Sequence, residues 1–278
     1  MSSKHKMLRE TPMKANVLKK IEVRFRKLQT SSFDDFLVNC SIEAKKLEIR
    51  KNIIDGDVYI IRNVLSKEEG HYILKQITKY RMGQSKDFRI LEGIKNIYYE
   101  SNHLKRTKSE YSSVDKSWYF FPWNKDELDI SKFLQPIFDN VILLNNRKPN
   151  IILNNTPIDG IVQRFHLINY PPGSGQISLH RDPVNICQIN SGIYLSQFGI
   201  DYSEGGFYVL NDNDDIVYLD NHVNFCDMIL FFPGLPHGVS PIKSIDSKND
   251  RDGRYFLNMN LIQSHHIDNR IPSIGIET

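Results

Sequence analysis

The sequence has few cysteines and no long apolar run, and each absence excludes a class of protein. Only three cysteines occur in 278 residues, at Cys40, Cys187 and Cys226. They are too few and too widely spaced for a disulfide framework or a zinc ribbon, which indicates buried thiols in a reducing compartment. No apolar run reaches the roughly 18–20 residues that span a bilayer, and the basic N-terminus lacks the apolar segment of a secretory signal. We therefore expect a cytoplasmic protein with no membrane contact.

Charge and composition exclude little more. The net charge is +3, which gives no reason by itself to expect a nucleic-acid partner. Internal repeats and low-complexity tracts are also missing. Hydrophobic residues make up 40% of the chain and charged residues 25%, as in an ordinary globular protein. The length is enough for one large domain with an extension.

The first 50 residues are predicted to form a helical N-terminal extension, with a folded domain over residues 51–278. Apolar residues recur at helical spacing from about Pro12 onward, at Val17, Ile21, Phe25 and Leu28. This pattern predicts an amphipathic helix with a basic outer face. A second helix is predicted over residues 33–49.

The next 100 residues predict one strand, two helices and a long loop. Residues 57–63 (DVYIIRN) are typical of a strand, and the Ser-x-x-Glu pattern of Ser66 to Glu69 predicts a capping box that opens a helix to about residue 80. Residues 83–117 are polar and are predicted to be irregular. The aromatic block 118–123 (WYFFPW) is expected in the core or in the wall of a substrate pocket. A further helix is predicted over residues 131–144.

From residue 160 onward, short β-rich runs alternate with turn residues. Eight strands are predicted in about 100 residues, which favours a sandwich or jelly roll with the helices packed outside it. The fold class is therefore mainly β with flanking helices. The predicted strands are 161–170, 176–180, 192–197, 206–210, 216–219, 228–232, 237–242 and 254–262.

A candidate metal site lies within this β-rich half. His180 and Asp182 form a His-x-Asp, and His237 follows 57 residues after His180. Residues i and i+2 of a strand face the same way, so His180 and Asp182 can bind one ion together. A histidine from a distant strand would complete two imidazoles and one carboxylate, the ligand set of non-haem iron(II) oxygenases.

A candidate carboxylate-binding residue follows the second histidine. Arg254 lies 17 residues after His237 and opens the last predicted strand. Its planar guanidinium can bind a carboxylate through two parallel hydrogen bonds. A metal with open positions beside such an arginine is suited to a carboxylate-bearing co-substrate.

These segments resemble the iron(II)/2-oxoglutarate dioxygenase superfamily, whose members have a His-x-Asp, a distal histidine and a basic residue on the last strand. The resemblance covers about residues 160–262. It implies a double-stranded β-helix (a jelly roll) as the core of a dioxygenase domain at 51–278. It also implies Fe(II) as cofactor, and 2-oxoglutarate and O2 as co-substrates.

The resemblance further implies residue roles. His180, Asp182 and His237 correspond to the catalytic metal ligands, and Arg254 corresponds to the anchor for the far carboxylate of 2-oxoglutarate. Asn169 and Tyr170, on the strand before the first metal segment, are expected to contact the co-substrate. Many relatives carry Ser or Thr two residues after the arginine, where this chain has Phe256, so Tyr170 or Tyr194 is expected as the second anchor.

The expected activity is hydroxylation of a C–H bond of a small metabolite, such as an amino acid or a biosynthetic intermediate. One alternative is an oxygenase acting on a protein side chain or, like AlkB-type demethylases, on nucleic acid. The stretch 168–182 resembles the AlkB pattern, but Asn260 stands where that pattern has a second arginine. The other alternative is a non-catalytic, cupin-like metal-binding protein, which would have no need of Arg254.

Overall fold

The computed structural model describes residues 21–79, 97–103, 111–123, 130–149, 160–245, 253–263 and 273–276. Four α-helices lie in the first half of this described chain, and strands make up most of the rest. The helices are α1 (Phe33–Ser41), α2 (Glu43–Ile54), α3 (Lys67–Lys79) and α4 (Ile130–Leu144). No helix among the described residues is both long and apolar enough to cross a membrane.

Thirteen strands of the described part of the chain form one sheet. The strands of the first half are β1 (Leu28–Ser32), β2 (Val58–Arg62), β3 (Ile97–His103) and β4 (Ser113–Phe120). The strands of the second half are β5 (Ile161–Tyr170), β6 (Gln176–Arg181), β7 (Asn190–Tyr194), β8 (Glu204–Leu210), β9 (Ile216–Tyr218), β10 (Met228–Phe231), β11 (His237–Lys243), β12 (Arg254–Gln263) and β13 (Ile274–Gly275). All eight strands predicted after residue 160 are present.

The strand order shows that neighbours in space are distant in sequence. It runs β1-β2-β10-β7-β12-β5-β4-β6-β11-β8-β9, with β3 beside β4 and β13 beside β6. Almost all pairs are antiparallel, and β1 with β2 is the parallel exception. The predicted fold class, mainly β with flanking helices around a jelly-roll core, is confirmed.

Two hydrophobic cores lie on the two faces of the central strands. On β12, Leu257 and Met259 pack into a cluster that includes Phe36 of α1 and Phe138 of α4. Phe256 faces the opposite way, into the cluster formed by the inner faces of the strands. The helices thus cover the outside of the sheet, and the residues in register with Phe256 point into the jelly roll.

The predicted capping box is confirmed. The Ser66 hydroxyl accepts a hydrogen bond from the backbone N–H of Glu69 at 3.1 Å, and the Glu69 carboxylate accepts one from the N–H of Ser66 at 2.8 Å. Two unpaired donors at the start of α3 are thereby satisfied. This helix begins where the sequence pattern predicted.

The predicted amphipathic helix is wrong in its described part. Phe25 forms a β-bridge with Asn211, and Leu28 opens β1. Both side chains pack against the inner core through an extended chain, so sheet pairing overrides their helical spacing. Residues 11–20 of that helix lie outside the described residues. The second predicted helix is present but is divided at Ile42 into α1 and α2.

The prediction of an irregular segment over residues 83–117 is also wrong where it is described. Residues 97–103 form β3 and residues 113–120 form β4, which pair antiparallel. The polar composition hid these strands because β4 places Asp115 and Ser117 on its inner face, between β5 and β6. An inner face that is polar does not show the usual apolar alternation. The domain boundary at residue 50 stays a prediction.

All three cysteines are free and buried. Burial, the largest effect on each, raises the pKa of Cys40, Cys187 and Cys226 to about 12. They therefore remain neutral thiols at physiological pH and serve as small apolar side chains.

Candidate metal centre

The two histidines lie on neighbouring strands. His180 on β6 pairs directly with His237 on β11, and Asp182 follows the end of β6. Both histidines are buried. The His-x-Asp alternation puts the carboxylate on the same side as the His180 ring, as the sequence predicted. The structure therefore brings together three residues that span 57 positions of the chain.

The ligand atoms of these residues converge on one point. His180 Nε2 is 3.6 Å from one carboxylate oxygen of Asp182, and His237 Nε2 is 3.6 Å from the other. All three ligand atoms lie within 4.8 Å of one another. Ligands about 2.1 Å from a common ion are separated by about 3–4 Å, so this spacing fits a metal.

Backbone hydrogen bonds fix the tautomer of each imidazole. His180 Nδ1 is 2.8 Å from the carbonyl of Ser178, and His237 Nδ1 is 2.8 Å from the carbonyl of Leu235. A carbonyl only accepts, so each Nδ1 carries the proton and each Nε2 keeps its lone pair for a metal. Burial, and then the neighbouring His237, lowers the pKa of His180 to about 4, which keeps this ring neutral at physiological pH.

The donor set and its geometry fit iron(II). Two imidazoles and one carboxylate on one side of an ion leave the other positions open, as in non-haem iron oxygenases. Tyr111 stacks on the His180 ring with 4.8 Å between ring centroids. The aromatic side chain limits rotation of the ligand and excludes water from one side of it.

Two residues that the sequence did not suggest hold Asp182. Asn190 on β7 donates a side-chain hydrogen bond to one oxygen at 2.9 Å, and the Ser273 hydroxyl donates to the other at 2.6 Å. The Asp182 backbone N–H also donates to the carbonyl of Pro233. Ser273 lies 91 residues after Asp182 in the chain and precedes β13, so no local pattern indicates its role.

Replacing Ser273 with alanine is expected to weaken iron(II) binding by about 10-fold. The loss of an outer hydrogen bond leaves the carboxylate free to rotate, and such losses typically cost about 10–100-fold in metal affinity. Anaerobic titration with Fe(II) measures the effect. Ser203→Ala is the matched control, because the Ser203 hydroxyl bonds an exposed carbonyl far from the site. Equal affinities in both variants would contradict this role.

Arg254 lies on the inner face of β12, opposite Tyr170 of β5, and is 1% exposed. Its guanidinium contacts the rings of Tyr170, Tyr194 and Phe256, with 4.9–5.6 Å to the ring centroids. The role of Arg254 as a co-substrate anchor stays a prediction.

The carboxylate that binds Arg254 in this structure belongs to Asp220. Arg254 Nε donates to one oxygen at 2.6 Å and Nη2 donates to the other at 3.2 Å. Sequence reasoning missed Asp220, because it lies in a 3-10 turn, residues 220–222, that carries no motif. The Nε and Nη2 donors of Arg254 are therefore not available to a second carboxylate in this conformation.

The two other predicted co-substrate residues face opposite ways. Tyr170 is buried on the inner face with Arg254, whereas Asn169 pairs with Tyr255 and points to the outer face. The alternation of a strand makes this unavoidable for adjacent residues. The structure thus brings Tyr170 towards the site and does not bring Asn169 there. Their contact with a co-substrate stays a prediction.

A polar wall continues along the inner face beyond Arg254. His166 stacks on Tyr119 at 4.2 Å between ring centroids, and its Nε2 is 2.8 Å from the Ser117 hydroxyl. The side-chain oxygens of Asn258 and Asn260 are buried and have no hydrogen-bond partner among the described residues. The aromatic block is divided, with Trp118 in the outer core and Tyr119 on the inner face.

Comparison with known proteins supports this fold. Protein-family models and curated protein sequences give no match to the chain. Among solved structures, this chain is similar to a prolyl hydroxylase from Trichoplax adhaerens that was determined in complex with a hypoxia inducible factor peptide. The two are 17% identical, with a TM-score of 0.50, and the match covers 82% of this chain and 92% of that chain. A Pseudomonas putida prolyl-4-hydroxylase is 14% identical, with a TM-score of 0.48, 77% of this chain and 96% of that chain covered. A Neurospora crassa protein in complex with alpha-KG and thymine is 14% identical, with a TM-score of 0.44 and 84% of each chain covered.

The fold of this chain is therefore similar to that of a prolyl hydroxylase, in agreement with the jelly-roll core that the sequence predicted. The ligand atoms of His180, Asp182 and His237 lie close enough together to bind one metal ion. The substrate class is a separate question.

Proposed function

We propose that this chain is an iron(II)- and 2-oxoglutarate-dependent oxygenase that hydroxylates a C–H bond of a small metabolite. The convergence of His180 Nε2, His237 Nε2 and the Asp182 carboxylate carries the proposal. The fold, with a TM-score of 0.50 to a prolyl hydroxylase, supports the same class of enzyme. A cupin-like metal-binding protein is the alternative, because the pairing of Arg254 with Asp220 gives this arginine a structural role that does not require a co-substrate.

The three ligands would hold iron on one side only. Iron(II) bound there supplies open positions for a bidentate co-substrate and O2, and activates O2 towards a C–H bond. Other residues of the chain hold the three ligands in position. The backbone carbonyls of Ser178 and Leu235 orient the imidazoles, and Asn190 and Ser273 orient the carboxylate. A rigid ligand set of this kind needs little rearrangement during the reaction.

The inner polar wall favours a small substrate inside the jelly roll. The side-chain oxygens of Asn258 and Asn260 are buried and accept no hydrogen bond among the described residues. Buried acceptors without a partner are costly, and a bound molecule with N–H or O–H groups would satisfy them.

A protein side chain is the second candidate substrate. The solved prolyl hydroxylase that resembles this chain was determined with a peptide fragment. A substrate screen that includes both amino acids and peptides separates the two candidates. Turnover of a peptide but of no small molecule would move the assignment to protein hydroxylation.

Anaerobic titration with Fe(II) and then with 2-oxoglutarate tests the proposed activity. We expect a weak visible charge-transfer band that requires both additions, because the oxo acid end of the co-substrate chelates the open positions. Admission of O2 should then release succinate, faster with the correct substrate. A folded, iron-loaded protein that gives no band would contradict the proposal and favour a metal-binding protein without oxygenase activity.

A further inference from the structure

The carboxylate-binding site beside the candidate metal centre is already filled by a side chain of the protein. Asp220 is 1% exposed and accepts four hydrogen bonds. One oxygen accepts from the Tyr194 hydroxyl at 2.7 Å and from Arg254 Nη2 at 3.2 Å. The other accepts from the Tyr202 hydroxyl at 2.6 Å and from Arg254 Nε at 2.6 Å. Such a set of donors is what a bound carboxylate ligand would require.

The tyrosines act only as donors in this site. Burial, and then the charge of Asp220, raises the pKa of both Tyr194 and Tyr202 above the ordinary value of tyrosine. Both hydroxyls therefore keep their protons and point them at the carboxylate. The site consists of one guanidinium and two hydroxyls around a single anion.

The backbone is also shaped around Asp220. Gly206 has a φ of +110°, and a Cβ built at this position would lie 2.3 Å from a carboxylate oxygen of Asp220. Only a residue without a side chain allows the carboxylate to come so close. The glycine at position 206 of β8 therefore leaves the space that the Asp220 carboxylate occupies.

Asp220 already neutralises the charge of Arg254, which disfavours the binding of a second anion. Arg254 and Asp220 neutralise each other in a site that is almost fully buried. A second carboxylate would have to approach the remaining edge of the guanidinium, and would bring a net negative charge into a low-dielectric interior. With Asp220 in place, it can use only the edge formed by Nη1 and Nη2, without help from the Tyr194 and Tyr202 hydroxyls, which bind Asp220.

We propose that Asp220 is an internal competitor for the distal carboxylate of the co-substrate, so that a 2-oxo acid is bound at the metal with little help from Arg254. This inference rests on the proposed function. It implies that the enzyme discriminates weakly between 2-oxoglutarate and 2-oxo acids whose far end is uncharged. Removal of the Asp220 carboxylate would restore selectivity for 2-oxoglutarate.

The first arm of the test uses the wild-type protein. Iron-loaded protein is titrated anaerobically with 2-oxoglutarate and with 2-oxopentanoate, which has a methyl group in place of the distal carboxylate. We expect Kd values within about threefold of each other, because the distal carboxylate finds its site filled. If 2-oxoglutarate binds more than about tenfold more tightly, Arg254 is accessible and the proposal is overturned.

The second arm uses Asp220→Ala. This variant should bind 2-oxoglutarate tighter than 2-oxopentanoate by on the order of tenfold or more, the contribution of charge-assisted hydrogen bonds to the freed arginine. Asp227→Ala is the matched control, since Asp227 is another buried carboxylate held by an arginine, Arg62, away from the metal site. An unchanged ratio in Asp220→Ala would overturn the proposal.

A third arm needs neither iron nor activity. Formate has the size of the carboxylate removed in Asp220→Ala, and it should raise the Tm of this variant more than chloride at equal ionic strength, but should not do so for the wild type. Absence of this rescue would contradict a carboxylate-binding site at Arg254. If neither oxo acid gives a band in the wild type, the proposed function fails, and formate rescue still decides the proposal about Asp220.

Discussion

Replacing His237 with alanine is expected to weaken iron(II) binding by at least about 100-fold, more than the loss of an outer hydrogen bond typically costs. The alanine removes one of three converging ligand atoms. His180 and Asp182 remain, and two ligands alone bind iron(II) weakly. Asp182→Ala should have an effect of the same size. Because the Nδ1 protons are fixed on backbone carbonyls, no other ring nitrogen can turn inward to replace the lost ligand.

Anaerobic titration with Fe(II), followed by metal analysis of the dialysed protein, measures this loss. His71→Ala is the matched control, since His71 lies on the exposed side of α3 and stacks on Phe225 far from the site. It should bind iron as the wild type does. Stoichiometric, tight iron in His237→Ala would show that the cluster is not the metal site, and the proposed function would lose its main support.

Breaking the Arg254–Asp220 pair is expected to lower the free energy of unfolding by about 3–5 kcal/mol in either single alanine variant. Both side chains are 1% exposed, so each substitution leaves its partner as an isolated charge in the interior. The double variant removes both charges. Its loss should be well below the sum of the two single losses, because no uncompensated charge remains.

Urea denaturation of the four proteins in this cycle measures the effect, with ligand absent. Lys51→Ala provides a control, because the Lys51–Asp55 pair has exposed partners and such pairs contribute about 0–1 kcal/mol. A loss below about 1 kcal/mol in Arg254→Ala would contradict the inference that the buried Arg254–Asp220 pair stabilises the fold.

A large loss of stability in Arg254→Ala affects how its co-substrate titration is interpreted. A missing chelate band in Arg254→Ala would then reflect a damaged site as much as a lost anchor, and Asp220→Ala is the more informative variant.

Local periodicity was enough to predict the elements whose residues lie a few positions apart in the chain. Period-2 alternation and turn residues predicted eight of the nine described strands after residue 160, and the Ser66–Glu69 pattern predicted the start of α3. The same alternation put His180 and Asp182 on one face of a strand, so the metal site was visible as a motif. Those inferences hold because each concerns residues a few positions apart.

Pairing between distant segments decided the rest. Phe25 and Leu28 have helical spacing but lie in extended chain, because β2 and residue Asn211 offer them sheet partners. Strand β4 escaped prediction since its inner face is polar. The occupant of the arginine site was not predictable either. Asp220 lies 34 residues before Arg254, and only the closed jelly roll brings the two charges within 2.6 Å, where burial makes each require the other.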